Sequence, residues 1–139
     1  MAVFNHIPMG EDGLREIYQW LDVFAERNNR IAYKKNIGKS PDDWDIPAIF
    51  VSSWDIADDD KQIAIVTLAR HGQELGTRVV GPEILHYLAS DEAKMIRDYQ
   101  IVIIVPIANP EGFILNQFCS SQTSLTKTER LVLGSLFRS

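Results

Sequence analysis

Cysteine is almost absent from this 139-residue chain: Cys119 stands alone, which excludes an internal disulfide framework and a thiolate metal cluster. Histidine is nearly as scarce, limited to His6, His71 and His86. No basic block occurs. Net charge is −5 and Lys34-Lys35 is too short a run to hold an anionic duplex, so nucleic acid is not an expected partner. Long apolar runs are missing too. The longest, residues 101–107, is interrupted by Pro106 and far too short to cross a bilayer, so no membrane partner is expected. Met1-Ala2-Val3-Phe4-Asn5-His6 lacks a basic region followed by an apolar run, so no secretory signal is read there, and the cytoplasm is the expected location.

What remains is ordinary globular material. Apolar residues make up 45% and charged residues 24%, too apolar for a disordered chain. The length fits one domain, 1–139, with no repeat, low-complexity tract or linker. Leu14, Ile17, Tyr18, Leu21, Phe24 and Ala25 share one helical face, with Glu11 and Asp12 near its N-terminus. Residues 31–37 and 46–53 read as strands joined by the turn formers 38–43, and the short connection predicts an antiparallel pair. The acidic run Asp58-Asp59-Asp60 is expected to be a solvated loop, since a lone carboxylate run makes a poor cation site. Residues 62–69 form a β-branched run suited to a buried central strand. Residues 78–99 are helical in pattern, broken at Ser90-Asp91-Glu92, and 101–107 is again a buried strand. Strand, helix and strand predict a right-handed parallel crossover, and hence an α/β fold with a mixed parallel/antiparallel sheet flanked by helices.

His71 and Glu74 follow the strand that ends at Ala69-Arg70. In open α/β sheets the carboxyl end of a central strand is the favoured place for a site. A spacing of three lets both side chains point the same way over one turn. An imidazole nitrogen and a carboxylate are competent zinc ligands, though zinc needs a third protein ligand beside an open position. The alternative is a plain surface pair. His86, beside Leu85 and Leu88, is expected to be a partly buried helix histidine, and His6 an exposed one. Cys119 has no histidine or helix start to activate it, so it reads as an incidental thiol.

His71-Gly72-Gln73-Glu74 lies one crossover upstream of Asn109-Pro110-Glu111-Gly112-Phe113, and Gly38-Lys39-Ser40 precedes the second strand. Over residues 10–117 this order resembles the zinc carboxypeptidase family, with its His-x-x-Glu zinc pair, its Gly-x-Ser turn and its Asn-Pro-Asp-Gly-aromatic segment. Glu111 replaces the usual Asp. The resemblance implies a truncated zinc carboxypeptidase-like fold, of the phosphorylase/hydrolase-like type. It also implies one zinc ion held by His71 and Glu74, and hydrolysis of a peptide bond next to a free C-terminus. In that family zinc polarises the scissile carbonyl and lowers the pKa of its water to about 7. Asn109, Pro110, Glu111 and Gly112 are expected to form a β-turn with a structural role.

The family's other site residues are an Asn-Arg pair, a third zinc-binding His, a Tyr and a Glu base, all downstream of the Asn-Pro segment. No histidine follows Phe113 here, and residues 118–139 diverge from the family pattern. The expectation is therefore an incomplete site, no catalytic residue, and a chain inactive by itself. The substrate of a completed site would be a peptide or small amide. In the tail, Thr126-Lys127-Thr128-Glu129 has capping-box spacing ahead of Leu131, Val132, Leu133, Leu136 and Phe137, and a helix there could cover the open sheet edge. An uncovered edge would favour self-association. A second resemblance, to the aspartoacylase and succinylglutamate desuccinylase amide hydrolases, rests on His71-Gly72-Gln73-Glu74 with Gly76 and Gly81-Pro82. A third reading is a non-catalytic remnant or binding module.

Overall fold

The computed structural model describes residues 3–4 and 6–118. Cys119 and the Thr126–Glu129 capping box lie outside the described residues. The elements run α1 (Gly10–Arg27), β1 (Ala32–Lys39), β2 (Asp45–Val51), β3 (Gln62–Thr67), α2 (Thr77–Leu88), a 3-10 turn (Asp91–Ala93), α3 (Lys94–Tyr99), β4 (Gln100–Val105) and α4 (Pro110–Leu115). The sheet order is β1-β2-β4-β3. β1 with β2 and β2 with β4 are antiparallel, whereas β3 and β4 are parallel. The mixed sheet expected from the sequence is the one observed.

Helix α1 forms because Leu14, Ile17, Leu21 and Phe24 recur on one face, and all four are buried. Glu11 and Asp12 at its start and Arg27 in its last turn complement the helix dipole. Its buried face meets Ile49, Val51, Val102 and Ile104 from the sheet, with Leu85, Ile107 and Phe113 in the same core. The alternate strand residues Ala48, Ile103 and Val105 point to the opposite face, where they join Ile37 and Ile46 in a second apolar group. Among the described residues no helix is long and apolar enough to cross a membrane. Asp58, Asp59 and Asp60 are exposed. The pattern break at Ser90-Asp91-Glu92 corresponds to the 3-10 turn between α2 and α3.

Two expectations about the sheet and its connections are corrected by the structure. The 62–69 run is not central: among the described residues β3 pairs only with β4, at the sheet edge, and Ile63 is 66% exposed. β-Branched composition reports a strand, but it does not say how many neighbours that strand has. Asn109-Pro110-Glu111-Gly112 is not an isolated β-turn but the start of α4. Asn109 is the N-cap, its side-chain oxygen accepting from Gly112 N at 3.0 Å, and Pro110 fills the first helical position. A turn and a capped helix start share the same composition, so these four residues alone could not separate them.

Candidate metal site at the end of the parallel strand pair

The parallel ladder continues past the strands proper. Leu68 N donates to Val105 O and Ala108 N to Leu68 O, each at 2.9 Å, so both chains leave the sheet side by side. Ala69 then takes a positive φ of 49° while almost fully buried. A non-glycine residue in this region costs about 1–2 kcal/mol, which the surrounding contacts must offset. The kink turns the chain away from the strand direction and into the His71 loop.

One turn follows. Glu74 N donates to His71 O at 3.1 Å, and Thr77 N donates to Glu74 O at 3.0 Å, leading into α2. This brings His71 Nδ1 within 3.0 Å of Glu74 Oε1. The pair is open to solvent, with side chains 27% and 51% exposed. Zinc bonds to nitrogen and oxygen of about 2.0–2.1 Å, in a tetrahedron, set two ligand atoms about 3.3 Å apart. The observed separation and the mixed imidazole–carboxylate donor set fit two positions of such a site. Among the described residues, no group of three or more His, Cys, Asp and Glu side chains is placed to hold a metal ion.

The loop is held from both sides. Asn109 Nδ2 donates to Arg70 O at 2.9 Å, and Arg78 Nη2 donates to Gly72 O, also at 2.9 Å. Gly72 presses directly on α4: a Cβ there would lie 1.7 Å from Gly112 O. Burial draws the Arg78 guanidinium below its ordinary pKa. Phe118 stacks on the His71 ring with centroids 3.9 Å apart and planes at 18°. Glu111, the residue that replaces the usual Asp, is 3% exposed and accepts from Asp42 N at 2.9 Å. Through that bond α4 is fastened to the β1–β2 turn, where Ser40 Oγ accepts from Trp44 N at 3.0 Å. The two turn motifs noticed separately in the sequence thus touch each other.

His71 and Glu74 are brought together; the other histidines are elsewhere. His6 is exposed, as expected. His86 is exposed rather than partly buried, because Leu85 and Leu88 take the core-facing positions and His86 lies about 100° round the helix from Leu85. It borders a cleft of about 360 Å³ with Trp20, Phe24 and Arg27, away from the pair. Arg78 and Phe118 were not marked by the sequence. Arg78 reaches the loop through a backbone carbonyl and Phe118 reaches it through ring stacking, which no motif encodes.

The sequence profile of the zinc carboxypeptidase family matches residues 17–130. This chain belongs to that family. Carboxypeptidase A from Helicoverpa armigera is similar in structure, with a TM-score of 0.66 at 23% identity over 72% of this chain and 25% of its own. Bovine thrombin-activatable fibrinolysis inhibitor, solved in complex with tick carboxypeptidase inhibitor, gives 0.63 at 22% identity, covering 72% and 31%. A metallo-carboxypeptidase from Burkholderia cenocepacia gives 0.58 at 16%, covering 73% and 30%. At these identities the likeness shows the carboxypeptidase fold. The chain spans only a quarter to a third of the length of these structures. No curated protein matches it in sequence. Membership makes the metallopeptidase class of hydrolase the family setting for the His71–Glu74 pair, and zinc the metal the family implies.

Proposed function

We propose that this chain supplies part of a zinc-dependent carboxypeptidase that releases C-terminal residues from peptides, with His71 and Glu74 as two of the metal ligands. The observation that carries the reading is the convergence of His71 Nδ1 and Glu74 Oε1 at 3.0 Å, at the carboxyl end of a parallel strand pair, in a member of this family. Bound there, zinc would supply a Lewis acid for amide hydrolysis. The chain's own residues bind and orient. His71 offers a ring nitrogen and Glu74 a carboxylate oxygen, Asn109 and Arg78 hold the loop between them, and Phe118 shields one face of the imidazole from water.

By itself the 139-residue chain is proposed to be inactive on peptides. Two protein ligands hold zinc weakly, and among the described residues no third candidate stands beside them. Calorimetric zinc titration at pH 7 tests the site. One ion should bind with micromolar affinity, and His71→Ala and Glu74→Ala should each weaken it at least about tenfold. Uptake unaffected by either substitution would sink the assignment, and no uptake at all would favour a non-catalytic remnant. A peptide with a free C-terminus should remain uncut by the zinc-loaded chain; release of its last residue would contradict the proposed inactivity.

A further inference from the structure

Arg78 lies in the first turn of α2 and is only 4% exposed. Burying a guanidinium costs several kcal/mol unless nearby groups compensate. Here the compensation is unusual, because its partners among the described residues are not carboxylates. Nη2 donates to Gly72 O at 2.9 Å, to Phe113 O at 2.9 Å and to Asn116 Oδ1 at 3.3 Å. Nη1 points to Met9 Sδ at 3.5 Å, and the guanidinium carbon sits 4.0 Å from the centroid of the Phe113 ring. Nε has no partner. A buried cation with incomplete satisfaction is poor material for stability alone, since a well-packed apolar side chain of similar size is often as good or better.

Its acceptors say what the cation does. Gly72 directly follows His71 in the chain, whereas Phe113 and Asn116 belong to α4 and its C-cap. One nitrogen therefore bridges the metal-pair loop to the neighbouring helix. The carbonyl on the other side of His71, Arg70 O, is held by Asn109 at the start of the same helix. The carbonyls of the residues before and after His71 are tied to one neighbouring helix, that of Gly72 by a charge-assisted hydrogen bond. Fixing those two carbonyls fixes the backbone from which the imidazole and the Glu74 carboxylate project.

We propose that Arg78 is a positioning residue for the His71–Glu74 pair: its guanidinium clamps the loop carbonyl at Gly72 to α4 and so presets the separation of the two ligand atoms. This inference rests on the reading of the pair as zinc ligands. Arg97 provides an internal control. It is also buried, at 7% exposure, also has an Nε without a hydrogen-bond partner among the described residues, and also donates to carbonyls, those of Leu88 and Ser90 at 2.6 Å each. Its bonds tie α3 to the end of α2, not to the His71 loop.

The experiment compares Arg78→Met and Arg97→Met in the full chain by two readouts, amide hydrogen exchange without metal and zinc titration. Arg78→Met should speed exchange at the Glu74 and Leu75 amides at least about tenfold relative to Arg97→Met and weaken zinc binding about tenfold, in the range for lost outer partners of a metal ligand. Arg97→Met should leave zinc affinity at the wild-type value. Equal loop exchange in the two variants overturns the clamp. So does faster exchange in Arg78→Met with undiminished zinc affinity. Wild-type chain that takes up no zinc removes the ligand reading, and with it the role proposed for Arg78; that result is distinct from failure of the clamp, in which wild-type and Arg78→Met bind zinc equally. If Arg78→Met does not fold, Arg78→Lys carries the test. It keeps a charge but loses the planar fork, so wild-type exchange and affinity in that variant would also overturn the proposal.

Discussion

Replacing Gly72 by alanine puts a methyl group where the His71 loop meets α4. The added Cβ would stand 1.7 Å from Gly112 O, 1.9 Å from Gly112 C and 2.5 Å from Phe113 N, all backbone atoms that no rotamer change can move. Ordinary contact between such atoms is about 3.5 Å, so the loop must withdraw by about 1.8 Å. Overpacking of this kind costs about 1–3 kcal/mol. Withdrawal also breaks the bond from Arg78 Nη2 to Gly72 O, and a hydrogen bond from a charged donor contributes about 1.5–3 kcal/mol. Together these give a loss of about 4 kcal/mol, a large share of the 5–15 kcal/mol typical of a domain. Urea unfolding followed by circular dichroism measures it. With a slope of about 2 kcal/mol per molar, the midpoint should fall by about 2 M. Gly76→Ala is the companion variant, because nothing lies within 4 Å of a Cβ there, and its midpoint should stay within about 0.3 M of wild type. A Gly72→Ala midpoint shifted by less than about 0.5 M would refute the close-approach reasoning.

Tyr18 should make the protein sensitive to alkali. Its hydroxyl donates to Asp45 O, and burial, reinforced by Asp45 and Glu111, raises its pKa well above the usual phenol value. The stability it contributes is complete below about pH 10, the unfolded value, and is lost as pH climbs from there toward the higher folded value. Thermal melts from pH 8 to 11 should show that loss, and Tyr18→Phe should flatten it; an unchanged slope in the variant would count against Tyr18 as the source. Among the described residues β3 has no partner on its outer side, and that edge predicts self-association with a second copy. Size-exclusion chromatography with light scattering should show concentration-dependent oligomers that Ile63→Lys reduces, and a monomer at every concentration would exclude this.

The legible parts of this molecule are those written in local pattern. α1 announced itself through Leu14, Ile17, Leu21 and Phe24, and the antiparallel β1–β2 pair through its short turn-forming connection. The parallel crossover followed from strand, helix, strand, and the His71–Glu74 pair from a spacing of three at a strand's exit. Expectations failed where the outcome depended on residues far apart in the chain. Whether β3 sits at the centre or the edge depends on what else pairs with it. Whether Asn109 starts a turn or a helix depends on how the chain beyond Gly112 packs, and it coils because Phe113 is pulled fully into the core.

The same distinction explains why Arg78 stayed invisible. A motif records side chains that meet side chains, and the His-x-x-Glu pair is such a meeting. The groups that hold this pair in place act on Arg70 O and Gly72 O, and a backbone carbonyl is identical at every position in the sequence. Nothing in residues 70–74 could therefore name Asn109 or Arg78 as partners, 39 and 6 positions away. Only the fold does so, by running the exits of β3 and β4 side by side until the start of α4 lies against the loop. If imidazole and carboxylate are to meet one ion, their backbone must be fixed before the ion arrives, and in this chain two amide and guanidinium nitrogens, bonded to carbonyls rather than to the ligands themselves, supply that restraint.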